Sequence, residues 1–325
     1  MKKKILPLLF AITLTSYVMG QQAYPSAEIS NAHLKVQIYL PDAEDGFYRA
    51  TRFDWSGVIG SLQYKGHEYF DPWLDYHDPQ VHEAITGPVE AFYPIGYEEA
   101  RAGGSFMVIG VGVLQKPDEK PYHFSRTYPI LDPGEWQVIN GNDAVSFEQR
   151  LTTAFGYAYL YTKRVALVSG RPELVIYHEL ENIGTRSIAT TSYNHNFFVI
   201  DNEPTGPNII TRFSQPLVAE GKGFGDLIVA RDSNLVFTGT LKPKENVYCG
   251  GLKASGQDQL DYDIRIENIN SGAGVHISSI TQLLKLPFWA CATTSCPEPY
   301  INIDIAPGST FRWQIKYRFY ELDGH

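Results

Sequence analysis

Two short segments carry side chains of the types that proton chemistry needs. In Ser192-Tyr193-Asn194-His195-Asn196-Phe197-Phe198 an imidazole sits among aromatic residues at what reads as a strand end. In Cys296-Pro297-Glu298-Pro299-Tyr300 a carboxylate stands between two prolines, just before the last pair of strands. An imidazole titrates near neutrality, and a weak acid and weak base that converge in space can move protons on and off a small polar molecule. Neither segment decides the matter alone. A histidine between aromatic rings is more often a packed, hydrogen-bonded residue, and a glutamate in a Pro-x-Pro turn is more often solvated.

The elements that must position these residues are strands. Period-two alternation places successive side chains on opposite faces of a strand. It is clearest at Thr310 to Tyr320, where Phe311, Trp313, Ile315, Tyr317 and Phe319 alternate with polar residues, and at Leu34 to Leu40. Strands are also expected over Phe106 to Leu114, Ala144 to Leu151, Tyr157 to Val168, Leu174 to Leu180 and Val275 to Leu284. No segment keeps a helical period with caps at both ends. Pro79 to Arg101 contains Gly87-Pro88, Pro94 and Gly96 and reads as a long shaped loop. So many strands must stack as large sheets or close a barrel to hide their edges. The expected fold is all-β, a large antiparallel β-sandwich.

Residues 1–20 read as a signal peptide. Lys2, Lys3 and Lys4 precede an apolar stretch from Ile5 to Val18, with Gly20 ahead of Gln21-Gln22 as a cleavage point. The stretch is short and interrupted for a membrane span. Export to the periplasm or beyond is the expectation, with no membrane association after cleavage. Residues 21–325 show no linker, repeat or change of composition, and are expected to form a single domain.

The formal charge of −9 becomes three units more negative without the three leader lysines. Such an acidic chain, with scattered Lys and Arg, offers no electrostatic footprint for nucleic acid. Cys249, Cys291 and Cys296 are too few for a disulfide scaffold. A Cys291–Cys296 bridge and buried thiols remain equal alternatives. There is no zinc spacing, and no metal or other cofactor is expected. The oligomeric state is open. The abundance of aromatic residues in an all-β chain suggests that the polar molecule is a sugar.

Taken together, His195-Asn196-Phe197-Phe198 resembles the His-x-aromatic-Phe signature of the aldose 1-epimerase (galactose mutarotase) superfamily. Cys296-Pro297-Glu298-Pro299-Tyr300, followed by Ile303 to Gly308 and the strand Phe311 to Tyr317, resembles that superfamily's C-terminal end. The segment Tyr48 to Leu62 is similar to its N-terminal hairpin. The resemblance implies a galactose mutarotase-like supersandwich and an isomerase that interconverts sugar anomers. It implies that His195 gives a proton to the ring oxygen while Glu298 takes one from the anomeric hydroxyl, each with a pKa near working pH. By analogy with paired acid–base sites, their functional atoms are expected about 5–8 Å apart with a ring-sized space between.

Around them, Arg52, His82, Trp55 and Glu90 are the candidates for substrate binding. Arg52 offers a planar fork for sugar hydroxyls or a carboxylate, with an ion pair to Asp54 or a Glu on a sheet face as the equal alternative. Trp55, Phe92 and Tyr93 are of a type that stacks on sugar rings, although such aromatics are more often core. The superfamily's Gly-rich histidine motif is missing from Val81 to Phe92, where His82 is the candidate substitute, although a loop histidine is more often a surface residue. His67, His77, His123, His178 and His276 are expected to be structural. Asp201 and Glu203 suit calcium or a turn cap. The alternatives to a mutarotase are a carbohydrate-binding protein without turnover and a lyase or hydrolase acting on oligosaccharides. For the hydrolase Glu90 or Glu98 would be the second carboxylate; for the lyase Arg52 and Arg101 would face a uronate.

Overall fold

The computed structural model describes residues 24–221, 223–256 and 260–324, and the segment expected to be a signal peptide lies outside them. Among the described residues there is no α-helix, only strands and one 3₁₀ turn at Ile200–Asn202. The expected all-β architecture is present, and every strand pair formed is antiparallel.

The main sheet runs through ten strands. In spatial order they are Ile228–Arg231, Asn234–Phe237, Ile209–Phe213, Asp263–Asn268, Ala273–Ser278, Thr310–Glu321, Glu173–Asn182, Ala158–Leu167, Ala144–Thr152 and Glu135–Asn140. Four of these are long, and the alternation seen in their sequence becomes alternating burial. On Thr310–Glu321, Trp313, Ile315, Tyr317 and Phe319 are buried while Arg312, Gln314 and Arg318 are exposed.

Two apolar clusters form the interior. One gathers Val36, Ile176, Val275 and Phe288; the other gathers Phe53, Tyr161, Phe197 and Trp313. The long strands feed both, as Thr310–Glu321 does with Ile315 in the first and Trp313 in the second.

Two smaller sheets carry the candidate site. In one, Ile188–Phe197 lies between Tyr300–Ile305 and Gly87–Phe92. In the other, Phe288–Cys291 lies between Asn246–Cys249 and Thr294–Pro297.

Three boundaries differ from the sequence expectation. Gly87–Phe92 is a strand inside the stretch expected to be a loop. All six of its residues are buried, so it shows no apolar–polar alternation to detect. Gly87 opens it with φ +77, and a Cβ there would come within 2.6 Å of the Ile59 carbonyl oxygen. Phe106 to Leu114 is not one strand but the hairpin Ser105–Val108 and Gly112–Gln115, reversed at Gly110 with φ +79. The strand beginning at Ala273 ends at Ser278, well short of Leu284.

A buried polar cluster ties the sheets together. Lys163, fully buried on Ala158–Leu167, pairs with Glu90 and with Asp54 at 3.3 Å, and donates to the Ser56 carbonyl at 2.7 Å. His178 Nε2 lies 3.3 Å from Glu90 Oε1, and Tyr161 bridges His178 and Asp54 at 3.0 Å each. Burial alone would push the Glu90 carboxyl up, but Lys163 and His178 outweigh it and hold Glu90 ionised.

Candidate active site

The strand Ile188–Phe197 sorts its side chains by parity. Thr191, Tyr193, His195 and Phe197 line one cavity. The intervening Asn194 and Asn196 turn the other way, where the Tyr317 hydroxyl lies 2.8 and 2.9 Å from their Oδ1 atoms. Asn194 also donates to Glu90 at 2.9 Å, and Asn196 to the Pro297 carbonyl at 3.0 Å. The residues flanking the histidine therefore anchor it from behind, on one side to the buried cluster and on the other to the turn that carries Glu298.

His195 is buried, its ring stacked on Phe197 at 3.9 Å between centroids and 6° between planes. Phe53 and Trp289 meet it edge-on at 5.7 and 5.8 Å. Its Nδ1 has no hydrogen-bond partner, which leaves Nε2 as the nitrogen placed to exchange a proton. Glu298 is held where Thr294–Pro297 runs out. Its backbone N–H donates to the Pro287 carbonyl at 2.9 Å, while the neighbouring Pro299 carbonyl accepts from the Asn194 N–H at 3.2 Å.

His195 Nε2 and Glu298 Oε1 lie 3.4 Å apart. This corrects the expectation of a ring-sized gap. The two groups touch, because adjoining strands bring them together, and the open space lies in front of the pair. A separation of 3.4 Å is longer than an ordinary N–H···O hydrogen bond.

Electrostatics corrects a second expectation. Burial, followed by the charge of Arg52, pushes the His195 pKa well below its ordinary 6.5. Burial raises Glu298 to about 7, against the opposing pull of Arg52 and Lys285. Only the carboxyl therefore titrates near neutrality. Burial thus favours the uncharged form of each group, a protonated carboxyl facing a neutral imidazole.

Arg52 stands beside the pair. Its Nε and Nη2 donate to the Tyr193 hydroxyl at 3.2 and 3.0 Å, and its Nη1 lies 3.5 Å from His82 Nδ1. The guanidinium is packed over the rings of Phe53 at 4.5 Å and Phe124 at 4.3 Å. The ion-pair alternative at Asp54 does not hold, since Asp54 is committed to Ser56, Tyr161 and Lys163. His82 also faces the cavity, and burial with the charges of Arg52 and His123 lowers its pKa to about 4.

The cavity has a volume of about 920 Å³. Arg52, His82, His195 and Glu298 all line it, as do Phe92 and Tyr93. Trp55 and Glu90 do not, which corrects both as substrate contacts. Trp55 is core, its Nε1 donating to the Ala50 carbonyl at 2.9 Å. Glu90 belongs to the buried Lys163 cluster, one sheet face away. Glu98 and Arg101 are exposed and outside the cavity.

The cavity also takes Tyr300 of the Glu298 segment, His123, which was expected to be structural, and residues that the sequence did not mark: Trp73, Tyr122, Phe124, Tyr248, Lys285 and Trp289. These last come from loops and short strands whose sequence has no period, so no local signal marked them.

Asp201 and Glu203 act in a turn. Asp201, with φ +57, accepts from the Glu68 N–H at 3.0 Å and pairs with His67, while Glu203 accepts from Asn208 and Asn270. No cluster of three or more His, Cys, Asp or Glu suited to a metal occurs among the described residues. Cys249, Cys291 and Cys296 are free thiols. The hairpin register sets Cys296 opposite Trp289 and Cys291 opposite Thr294, so the bridge is not formed.

No family model matches the chain, and no curated protein matches it in sequence. Solved structures match its fold. A galactose mutarotase-like protein from Clostridium acetobutylicum aligns with a TM-score of 0.56 at 12% identity, covering 91% of this chain and 95% of that one. A galactose mutarotase-like protein from Lactobacillus casei aligns at 0.53 and 14%, covering 91% and 100%. An aldose epimerase homologue from C. elegans aligns at 0.52 and 13%, covering 93% and 100%. The chain has the galactose mutarotase-like fold. At such identities the likeness speaks for the fold alone.

Proposed function

We propose that this chain is an aldose 1-epimerase-like isomerase that interconverts the anomers of a reducing sugar. The observation that carries the proposal is the contact of His195 Nε2 with Glu298 Oε1 at 3.4 Å, in a cavity walled by aromatic rings. The chemistry needs one group to take the proton from the anomeric hydroxyl and one to give a proton to the ring oxygen. The O–H electron pair becomes the carbonyl π bond, and the C1–O5 bond pair moves to O5. Rotation about C1–C2 presents the other carbonyl face, and the same steps in reverse close the ring.

The pair must carry one exchangeable proton for this cycle. That state exists either as Glu298 protonated beside neutral His195, or as ionised Glu298 beside imidazolium. The resemblance gives the second arrangement, with His195 as acid. The burial of both groups favours the first in the free protein, with Glu298 the initial donor and His195 the acceptor. Arg52, with guanidinium N–H groups to spare beyond Tyr193, is placed to hold sugar hydroxyls. His82, kept neutral, supplies a further polar contact.

Polarimetry of freshly dissolved single anomers, run over a panel of reducing sugars, tests the proposal. Wild-type protein should accelerate equilibration of at least one sugar, and His195→Ala should lose about 10²–10⁴-fold of that rate. No acceleration of any sugar, with binding intact, would make the chain a carbohydrate-binding protein instead. The hydrolase reading is weakened because Glu90 and Glu98, its candidate second carboxylates, lie outside the cavity. Export is proposed from the Lys-rich and apolar character of residues 1–20. Mass spectrometry of the mature N-terminus checks it, with cleavage after Gly20 expected and an uncleaved chain contradicting it.

A further inference from the structure

The cavity is larger than the proposed reaction requires. Its volume of about 920 Å³ lies near the top of the roughly 300–1,000 Å³ span of small-molecule sites. A hexose, with twelve non-hydrogen atoms, would occupy only a part of it. The cavity also runs past several residues of the histidine strand. From His195 to Thr191, both lining it, is four residues, or about 13 Å at the rise of an extended strand.

The extra space is walled by rings that lie open to solvent. Tyr93 is 54% exposed, Phe124 47% and Tyr248 56%, yet all three line the cavity. They connect with the buried pair by different routes, Phe124 by packing on the Arg52 guanidinium at 4.3 Å. Tyr248 sits opposite Trp289 in the strand register, and Trp289 meets His195 at 5.8 Å. Tyr93 is hydrogen-bonded through its N–H to the Thr191 carbonyl at 2.9 Å, at the outer end of the row that leads inward through Tyr193. Exposed aromatic rings that line a cavity mark a binding surface. Rings with a polar tip suit a ligand that is apolar on its C–H faces and hydroxylated at its edges.

We propose that the site takes the reducing end of an oligosaccharide, with the ring to be epimerised against His195 and Glu298 and the next sugar unit stacked on the rim formed by Tyr93, Phe124 and Tyr248. The placement of the reducing ring rests on the mutarotase reading; the rim as a sugar subsite rests on the exposed rings and the length of the cavity. Mutarotation breaks only the C1–O5 bond of the terminal ring, so the glycosidic linkage to the next unit survives.

The test compares glucose with maltose and cellobiose, and galactose with lactose, in wild type, Tyr248→Ala and Tyr93→Ala. Trp73 and Trp289 line the cavity, so their fluorescence reads sugar binding independently of turnover. Exchange NMR reads anomer interconversion in the same samples. A disaccharide should bind at least about tenfold more tightly than its monosaccharide, the scale of one or two ring contacts, and should show a correspondingly lower KM. Either substitution should bring the disaccharide-to-monosaccharide ratio close to one. Equal affinity for the two sugars in wild type, or a preference that survives both substitutions, would overturn the rim. A preference lost in the variants, with no anomer exchange in any sample, would sustain the rim and overturn the mutarotase reading.

Discussion

At the residue scale the account turns on one shared proton. Burial pushes His195 down and Glu298 up, so the two groups titrate in the reverse of their usual order. Either assignment of acid and base needs the pair to hold one proton. Activity should therefore be steady just below neutrality and fall above about pH 7, as Glu298 loses its proton. Measurement of kcat/KM between pH 5 and pH 9 checks this, and a rate that rises through pH 7 would contradict it.

The same shift has a consequence for stability. Glu298 has a folded pKa of about 7 against an ordinary 4.5. Its contribution is therefore fully present below 4.5 and lost as pH rises through 7. Glu298→Gln does not titrate, so it should gain stability over wild type on going from pH 5 to pH 8. The gain is on the order of 3 kcal/mol. Urea unfolding at the two pH values reads it, and an unchanged difference between the proteins would refute the raised pKa.

His195 and Glu298 were legible in the sequence as residue types in a known order. Their contact was not, because 103 positions of chain separate them and only strand pairing brings them together. Trp55 and Glu90 show the opposite limit. Aromatic and acidic residues suit a sugar site and a core equally, and only burial tells them apart.

At the scale of elements, the histidine strand works as a two-sided device. Its cavity face carries Thr191, Tyr193, His195 and Phe197, and its rear face carries the asparagines held by Tyr317 and Glu90. Tyr317→Phe would remove the single hydroxyl proton that the two asparagine oxygens share. A loss of about 1–3 kcal/mol is expected for the buried groups left unsatisfied. A fall in kcat larger than any change in KM would show that the strand positions His195. Lys163→Met should cost more, about 3–5 kcal/mol, since it leaves Asp54 and Glu90 buried without their cation. Chemical denaturation of the variant reads that loss, and wild-type stability in it would contradict the cluster's role.

Period-two alternation revealed the long strands of the main sheet because each has one face in the core and one in solvent or against a second layer. It missed Gly87–Phe92, buried on both faces, and merged the hairpin at Gly110, where apolar residues continue through the turn.

At the scale of the whole molecule, the long strands feed both apolar clusters, and the site hangs on the second. Loss of either cluster would remove support from the other. We expect residues 21–325 to unfold as one unit, with far-ultraviolet circular dichroism and tryptophan fluorescence giving the same urea midpoint. Two separated transitions would show two independently stable parts. The fold class was legible because composition and alternation permit little except stacked antiparallel sheets. The cavity was not, since apart from the histidine strand its walls come from loops and short strands that no local pattern joins.

The central claim is that His195 and Glu298 move a proton on and off a sugar's C1–O5 unit. Saturation-transfer proton NMR on reducing sugars tests it most directly, by following exchange between the α and β anomeric signals in wild type and Glu298→Gln. The account predicts accelerated exchange for one or a few sugars, reduced by about 10²–10⁴-fold in the variant. Exchange that proceeds equally fast in Glu298→Gln, or no acceleration by wild type for any sugar, would contradict it.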